Sequence, residues 1–139
     1  MNDNGQQPYV VDIEDITVAN DNFRLAAWTG QFLQMTLMNI EVGSEVGLEV
    51  HDDTDQFLRI EQGEAKIVMG DSPDNLTFEA TAEDDFAIFV PSGFWHNIIN
   101  IGDEPLKMYS IYAPSHHPAG TIHTTKEEAD AAEAAEHDH

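Results

Sequence analysis

Short apolar runs separated by turn-forming residues constrain the fold of this chain more than any other feature of its sequence. From residue 32 onward the runs are rich in β-branched and aromatic residues, and clusters of Gly, Pro, Asp and Asn separate them at intervals of about ten residues. This spacing is typical of an antiparallel β-sandwich or β-barrel with about eight strands. The predicted strands cover residues 32–40, 48–51, 57–60, 65–69, 76–80, 86–90, 95–101 and 106–112.

The remaining residues flank this predicted barrel and divide the chain into three segments. A chain of 139 residues with 41% hydrophobic residues is large enough for one domain with a real core. We predict an N-terminal extension over residues 1–30, with a strand at 9–13 and a helical turn at 22–28 packing on a barrel over residues 31–114. Residues 115–139 are predicted to form a His- and Pro-containing loop and an acidic tail, which is helical because it is rich in helix formers.

The charge balance excludes two classes of partner. The chain carries 5 Lys and Arg against 27 Asp and Glu, a net charge of −22. Nucleic acids and anionic membrane surfaces would be repelled, since phosphate groups are bound through cations. So large an acidic excess, with an ordinary apolar content, is typical of halophilic adaptation, in which molar salt screens the repulsion between surface carboxylates. We therefore expect the protein to lose stability at low salt.

The absence of cysteine limits the kinds of site that the protein can form, and its first residues bear on its cellular location. The sequence contains no Cys, which excludes disulfides, thiolate metal sites and Cys nucleophiles. Residues 1–8 have neither the basic nor the apolar region of a signal peptide, and no apolar stretch approaches the length of a membrane span. We expect a cytoplasmic protein, in a high-salt cytoplasm.

Four side chains in or beside the predicted strands have the chemistry of metal ligands. The two-residue period of a strand places Glu49 and His51 on one face of their run. By the same alternation Gln56 faces inward on the next run, and His96 lies on the seventh. If the barrel closes, a carboxylate, two imidazoles and an amide oxygen can meet inside it. This donor set suits one divalent transition metal, namely Mn, Fe, Co, Ni or Zn.

Other polar residues near this set have open roles. A register shift of one residue would turn Asp53 or Asp55 into the barrel in place of Gln56. His116, His117 and His123 follow the last predicted strand. Their loop either folds over the barrel mouth, where an imidazole can donate a proton, or is pinned by prolines with its histidines bonded to backbone groups.

The spacing of the four candidate ligands resembles the two sequence motifs of the cupin family. Residues 43–63 begin and end with Gly and carry Glu49, His51 and Gln56 at the intervals of the first motif, Gly, His-x-His, Glu and Gly. Here Glu49 stands where the motif has its first His, and Gln56 where it has Glu. Residues 91–100 match the second motif, Pro-x-Gly-x-x-His-x-x-x-Asn.

The chain is also similar over its length to small bacterial and archaeal cupins called mannose-6-phosphate isomerase-like. Residues 48–61, 109–114 and 116–123 carry this likeness. The resemblance implies an all-β cupin jelly-roll barrel, a homodimer, and one metal held at the motif positions. Those positions are Glu49, His51, Gln56 and His96.

The predicted function follows from this metal site. We expect an enzyme that acts on a small oxygenated molecule by isomerase-type or dioxygenase-type chemistry at one metal inside the barrel. The alternatives are a cupin that binds a small ligand without catalysis, and a metal-free barrel that serves packing or oligomerisation. A phosphosugar is less expected than the group's name suggests, because phosphate recognition needs Arg or Lys and alternation points Arg59 away from the interior. Lys107 has no predicted role beyond surface solubility.

Overall fold

Nine β-strands and two α-helices make up the computed structural model, which describes residues 2–137. Seven of the eight predicted runs overlap observed strands, namely those of β2 to β8. In chain order the elements are α1 (Ile13–Ala19), β1 (Arg24–Thr29), β2 (Gln34–Ile40), β3 (Asp55–Gln62), β4 (Glu64–Gly70), β5 (Phe78–Glu83), β6 (Ala87–Val90), β7 (Trp95–Asn100), β8 (Leu106–Ala113), β9 (Ile122–His123) and α2 (Lys126–His137).

The strands form two antiparallel sheets that enclose one core. The larger sheet has the order β6-β3-β8-β2-β1-β9, and the smaller has the order β5-β4-β7. Neighbours that are distant in sequence, such as β3 and β8, are the connections expected of a jelly roll, so the predicted all-β architecture is confirmed. The largest fully buried apolar side chains of this core cluster are Met38, Ile40, Leu58, Ile60, Ile67, Ile98, Leu106 and Met108.

The register of the larger sheet arranges the interior in rows across the strands. Residues directly opposite each other on paired strands point to the same face. One row therefore joins Met38 of β2 with Met108 of β8 and Ile60 of β3. Four residues further along these strands, Gln34, Tyr112 and Gln56 form a second row. The interior is thus apolar at one end and polar at the other, which we call the barrel mouth.

Helix α1 covers the outer face of the larger sheet. Ile13 and Ile16 pack against a second buried cluster that includes Leu25 and Leu37. Lys107 fixes the end of this helix, since its Nζ donates to the Asn20 carbonyl oxygen at 2.6 Å and contacts Asp21 at 3.0 Å. A cation beside the last carbonyls of a helix stabilises its C-terminus. Lys107 is therefore a buried helix-anchoring residue rather than a surface charge.

The two local predictions for the N-terminal segment are wrong. Residues 9–12 form no strand, and helix α1 begins at Ile13 because Asp12 accepts a hydrogen bond from the backbone N–H of Asp15. Residues 22–28 form no helical turn, because most of them belong to strand β1, which pairs with both β2 and β9. Its alanines are buried by this pairing, and long-range packing outweighs their helical propensity.

The predicted strand at 48–51 is reduced to an isolated bridge between Glu49 and His96.

At the other end of the chain the predicted helical tail is confirmed by α2, whose first turn carries Glu127 and Glu128. Ala129 is the residue of this helix that enters the core cluster. Over residues 2–137, neither helix has the length and the hydropathy needed to cross a membrane.

Candidate metal centre

A short backbone pairing brings three of the predicted ligands together. The N–H of Glu49 donates to the carbonyl oxygen of His96 at 3.0 Å, and the N–H of His96 donates back at 2.9 Å. Opposed residues on paired backbones share a face, and His51 lies on that face because it is two residues from Glu49. The alternation predicted for Glu49 and His51 therefore holds although no regular strand forms there.

The three side chains converge on one point. Oε1 of Glu49 lies 3.5 Å from Nε2 of His51 and 3.4 Å from Nε2 of His96. Both separations exceed an ordinary N–H···O hydrogen bond. They match two atoms bound to the same ion, which lie about 3.0–3.5 Å apart when each bond is about 2.1 Å long. Glu49, His51 and His96 thus form a cluster that could hold a metal ion.

The histidines present unused nitrogens to this point. Nδ1 of His96 lies 3.1 Å from the Phe94 carbonyl oxygen and donates its proton there, which leaves the lone pair of Nε2 facing Glu49. His51 and His96 are 5% and 1% exposed, so water does not reach them freely. Within residues 2–137, Nε2 of each histidine has no hydrogen-bond partner. Buried polar atoms are normally satisfied, and a divalent cation would satisfy both.

Glu49 is an anion at neutral pH despite its burial. Burial alone would raise the pKa of its carboxyl group, but the contacts with His51 and His96, aided by the positive charge of Arg24, lower that pKa below its usual range. An ionised carboxylate and two imidazole nitrogens are a good set of ligands for a divalent transition metal. The donor chemistry therefore fits the metal that was predicted.

Gln56 faces the interior, as the two-residue period predicts. Its Nε2 donates to Oγ of Ser110 at 2.8 Å, which fixes the amide. Its Oε1 is buried and accepts no hydrogen bond from the part of the chain that the structure describes. Asp53 and Asp55 are exposed, and Asp55 accepts from the backbone N–H of Ser92 at 2.9 Å. The register thus places the amide, and neither aspartate, inside the barrel.

The loop after β8 folds over the barrel mouth. The ring of His116 lies 4.1 Å from the ring of His51, and that of His117 lies 4.7 Å from His116, measured between centroids. His123 lies elsewhere, on β9, with Nδ1 at 3.4 Å from Nη1 of Arg24. Two of the three loop histidines therefore border the candidate metal centre.

Gln34 holds this loop in place, a role that the sequence analysis missed. Its Oε1 accepts hydrogen bonds from the backbone N–H groups of His116 at 3.2 Å and His117 at 2.9 Å. Its Nε2 donates to the carbonyl oxygen of His117 at 2.8 Å. The available signal was a polar residue at an inward position of a predicted strand, but its partner lies 83 residues away.

Burial sets the protonation of the groups around the mouth. It lowers the pKa of His117 to about 2, helped by the positive charge of Arg24, and it lowers the pKa of His116 with a contribution from His51. Both imidazoles are therefore neutral at pH 7. Burial also raises the pKa of Tyr112 to about 12, so its hydroxyl keeps its proton.

The cluster opens on a small pocket of about 250 Å³. Its volume suits a molecule of a few non-hydrogen atoms rather than a polymer. The pocket is lined by Leu48, Glu49, Val50, His51, Trp95, His116, His117 and Glu133. Two larger apolar grooves, of about 570 and 440 Å³, lie on other parts of the surface and share none of these residues.

Comparison with known proteins agrees with this architecture. The family model described as a cupin domain matches residues 36–112, more than half of the chain. The uncharacterized protein YrkC of Bacillus subtilis is 53% identical over 133 residues, which cover 96% of this chain and 72% of that protein.

Two solved structures show the same fold. A crystal structure from Bacillus halodurans shares 53% identity with a TM-score of 0.93, covering 94% of this chain and 99% of that one. A mutant of Bacillus subtilis oxalate decarboxylase shares 24% identity with a TM-score of 0.58, covering 63% of this chain and 23% of that one. At this lower identity the likeness extends to the fold alone.

Proposed function

The chain belongs to the cupin family, and on this basis we propose that it is a metal-dependent enzyme that acts on a small oxygenated molecule at the barrel mouth. In this proposal Glu49, His51 and His96 hold one divalent transition metal, and the amide oxygen of Gln56 completes the set. The observation that carries it is the convergence of an ionised carboxylate and two buried, unpartnered Nε2 atoms within residues 2–137. The metal, when bound, would polarise a carbonyl group of the substrate.

The residues around the metal centre support proton transfer, as in an isomerase, over oxygenase chemistry. The neutral imidazole of His116 stands beside His51 at the pocket and is positioned to accept a proton from a carbon next to a carbonyl. The ring of Tyr112 lies 5.6 Å from that of His51, measured between centroids, and its hydroxyl keeps its proton. Such a hydroxyl can stabilise developing negative charge on oxygen. The hydrogen bonds from the loop to Gln34 hold His116 at the rim of this pocket.

Metal content tests the first half of the proposal. Elemental mass spectrometry of the protein, purified without chelators in molar KCl, should find about one divalent transition metal per chain. His51→Ala should lose the metal, whereas the matched variant His123→Ala, which removes an imidazole outside the cluster, should keep it. A wild-type protein that stays metal-free after incubation with Mn, Fe, Co, Ni and Zn would reject the metal centre.

Proton exchange tests the second half. Small ketoses, uronates and 2-oxo acids incubated with the metal-loaded protein in D2O should gain deuterium next to the carbonyl, as read by NMR. His116→Asn should abolish this exchange while it keeps the metal. If the loaded protein binds such molecules without exchange, the chain is instead a ligand-binding cupin, which is the alternative to catalysis.

A further inference from the structure

Arg24 places a buried positive charge inside the barrel. It begins β1 opposite Met38 and is 2% exposed. Burying a cation is costly unless it is closely paired. Nη1 of Arg24 lies 3.4 Å from Nδ1 of His123 and 3.9 Å from Oε1 of Glu133. Both distances are longer than a charge-assisted hydrogen bond of about 2.7–2.9 Å.

The guanidinium therefore retains donor capacity. Its Nε is buried and makes no hydrogen bond with the residues of the described range 2–137. The other four cations of the chain have close carboxylate partners at the surface or beside α1. These pairs are Arg59 with Asp85 at 2.8 Å, Lys66 with Glu79 at 3.1 Å, Lys107 with Asp21 at 3.0 Å and Lys126 with Asp130 at 2.8 Å.

The charge of Arg24 acts on the same site as the candidate metal ligands. It contributes to the low pKa values of Glu49 and His117, which line the small pocket. Glu133 forms the ion pair with Nη1 of Arg24 and also lines that pocket. The lining of the pocket thus includes a carboxylate of α2 that lies 3.9 Å from the guanidinium of Arg24.

We propose that Arg24 binds the carboxylate of a small substrate, and that Glu133 stands in for that carboxylate until the substrate displaces it. The inference rests on the proposed function and narrows its substrate to a carboxylic acid. Arginine presents a planar fork of N–H donors that matches a carboxylate in two parallel hydrogen bonds. The chain has a net charge of −22, so its carboxylates repel an anionic ligand. An arginine in the interior offers such a ligand a positive charge that offsets this repulsion.

Displacement of Glu133 requires its side chain to move away from Arg24, from which it is separated by 3.9 Å. The helix is anchored in the core through Ala129, one turn before Glu133, and residues 130–132 and 134 are exposed or half-buried. The pair between Lys126 and Asp130 lies within the first turns of the helix and does not depend on Glu133. Ala129 and this ion pair therefore hold the first turns of α2 independently of the contact between Glu133 and Arg24.

The test uses pyruvate as a carboxylate probe and acetone as its uncharged counterpart. Binding to the full-length protein is measured by NMR titration, and the metal content of each preparation is measured in parallel. Glu133→Gln removes the competing charge and should tighten pyruvate binding about tenfold, equivalent to about 1.4 kcal/mol. Glu127→Gln, an exposed change on the same helix, should leave it unchanged. Arg24→Gln should weaken binding at least about tenfold, and acetone binding should not respond to any of these changes.

Two results would overturn the inference. One is a Glu133→Gln protein that binds pyruvate like the wild type, which would mean that Glu133 only fastens α2. The other is a folded Arg24→Gln protein, by circular dichroism, whose pyruvate affinity is unchanged. Because the metal content is read separately, a chain without metal that still responds to Glu133→Gln would reject the metal centre and keep the carboxylate site.

Discussion

At one end of the barrel interior Met38, Ile60 and Met108 fill a row with apolar atoms, whereas four residues further along the same strands Gln34, Gln56 and Tyr112 fill a row with polar ones. The apolar row gains free energy from every atom that it removes from water. The polar row leaves buried groups, such as Oε1 of Gln56, without a partner in the described chain.

The difference shows how one set of strands can serve stability and function separately. A buried polar atom without a partner costs about 1–3 kcal/mol, so the mouth weakens the fold that the apolar end supports. Such a cost is expected where a ligand or a metal later supplies the missing contacts. The comparison predicts that changes at the two ends will affect stability and metal binding independently.

The largest expected effect is at the apolar end. Ile60→Ala should lower the free energy of unfolding by about 2–5 kcal/mol, because it removes a fully buried side chain and leaves a cavity. The remaining folded protein should still bind its metal, because Ile60 is four residues from Gln56 along β3. Urea denaturation and metal analysis of the same sample check both statements. Loss of metal from a folded Ile60→Ala protein would show that the two ends are coupled.

A smaller effect is expected where the mouth is closed by its loop. Gln34→Ala removes three hydrogen bonds to the backbone of His116 and His117 and should cost about 2–3 kcal/mol. Hydrogen exchange of these two amides should become faster, and His116 should lose its position over the pocket. Gln62→Ala, which removes one side-chain hydrogen bond to the Pro105 carbonyl oxygen, is the control. Equal exchange rates in the wild type and Gln34→Ala would show that Gln34 does not hold this loop in place.

Prediction from sequence succeeded where a short-range pattern carries the information. The two-residue period placed Glu49 beside His51 and turned Gln56 inward, and the turn spacing located seven strands of the barrel. The roles of Gln34 and Arg24 depend on which strands become neighbours across the sheet. No pattern within a short stretch of sequence indicates which strands pair. The pairing of β1 with β2 was missed for this reason, and residues 22–28 were predicted to form a helical turn.

Three further expectations concern properties that a single chain does not display. Halophilic adaptation, the homodimer and the mannose-6-phosphate isomerase-like resemblance stay predictions. The first depends on the salt response of the acidic surface, and the second on contacts between copies. The third depends on a substrate, for which the carboxylate inference names a different chemical class.

The smallest expected effect is a pH dependence that originates at the mouth. The pKa of His117 is lowered by burial from 6.5 to about 2 in the folded chain, so the unfolded chain binds more protons between these values. Stability should therefore fall as the pH drops below about 6.5, by up to about 1.4 kcal/mol for each pH unit. His117→Asn cannot titrate and should flatten this slope. Urea denaturation between pH 5 and 7 stays above the ordinary pKa range of carboxyl groups, so the histidines dominate the slope in that window. An identical slope in both proteins would mean that folding does not lower the pKa of His117, and the burial of its imidazole would then not weaken the mouth end of the barrel.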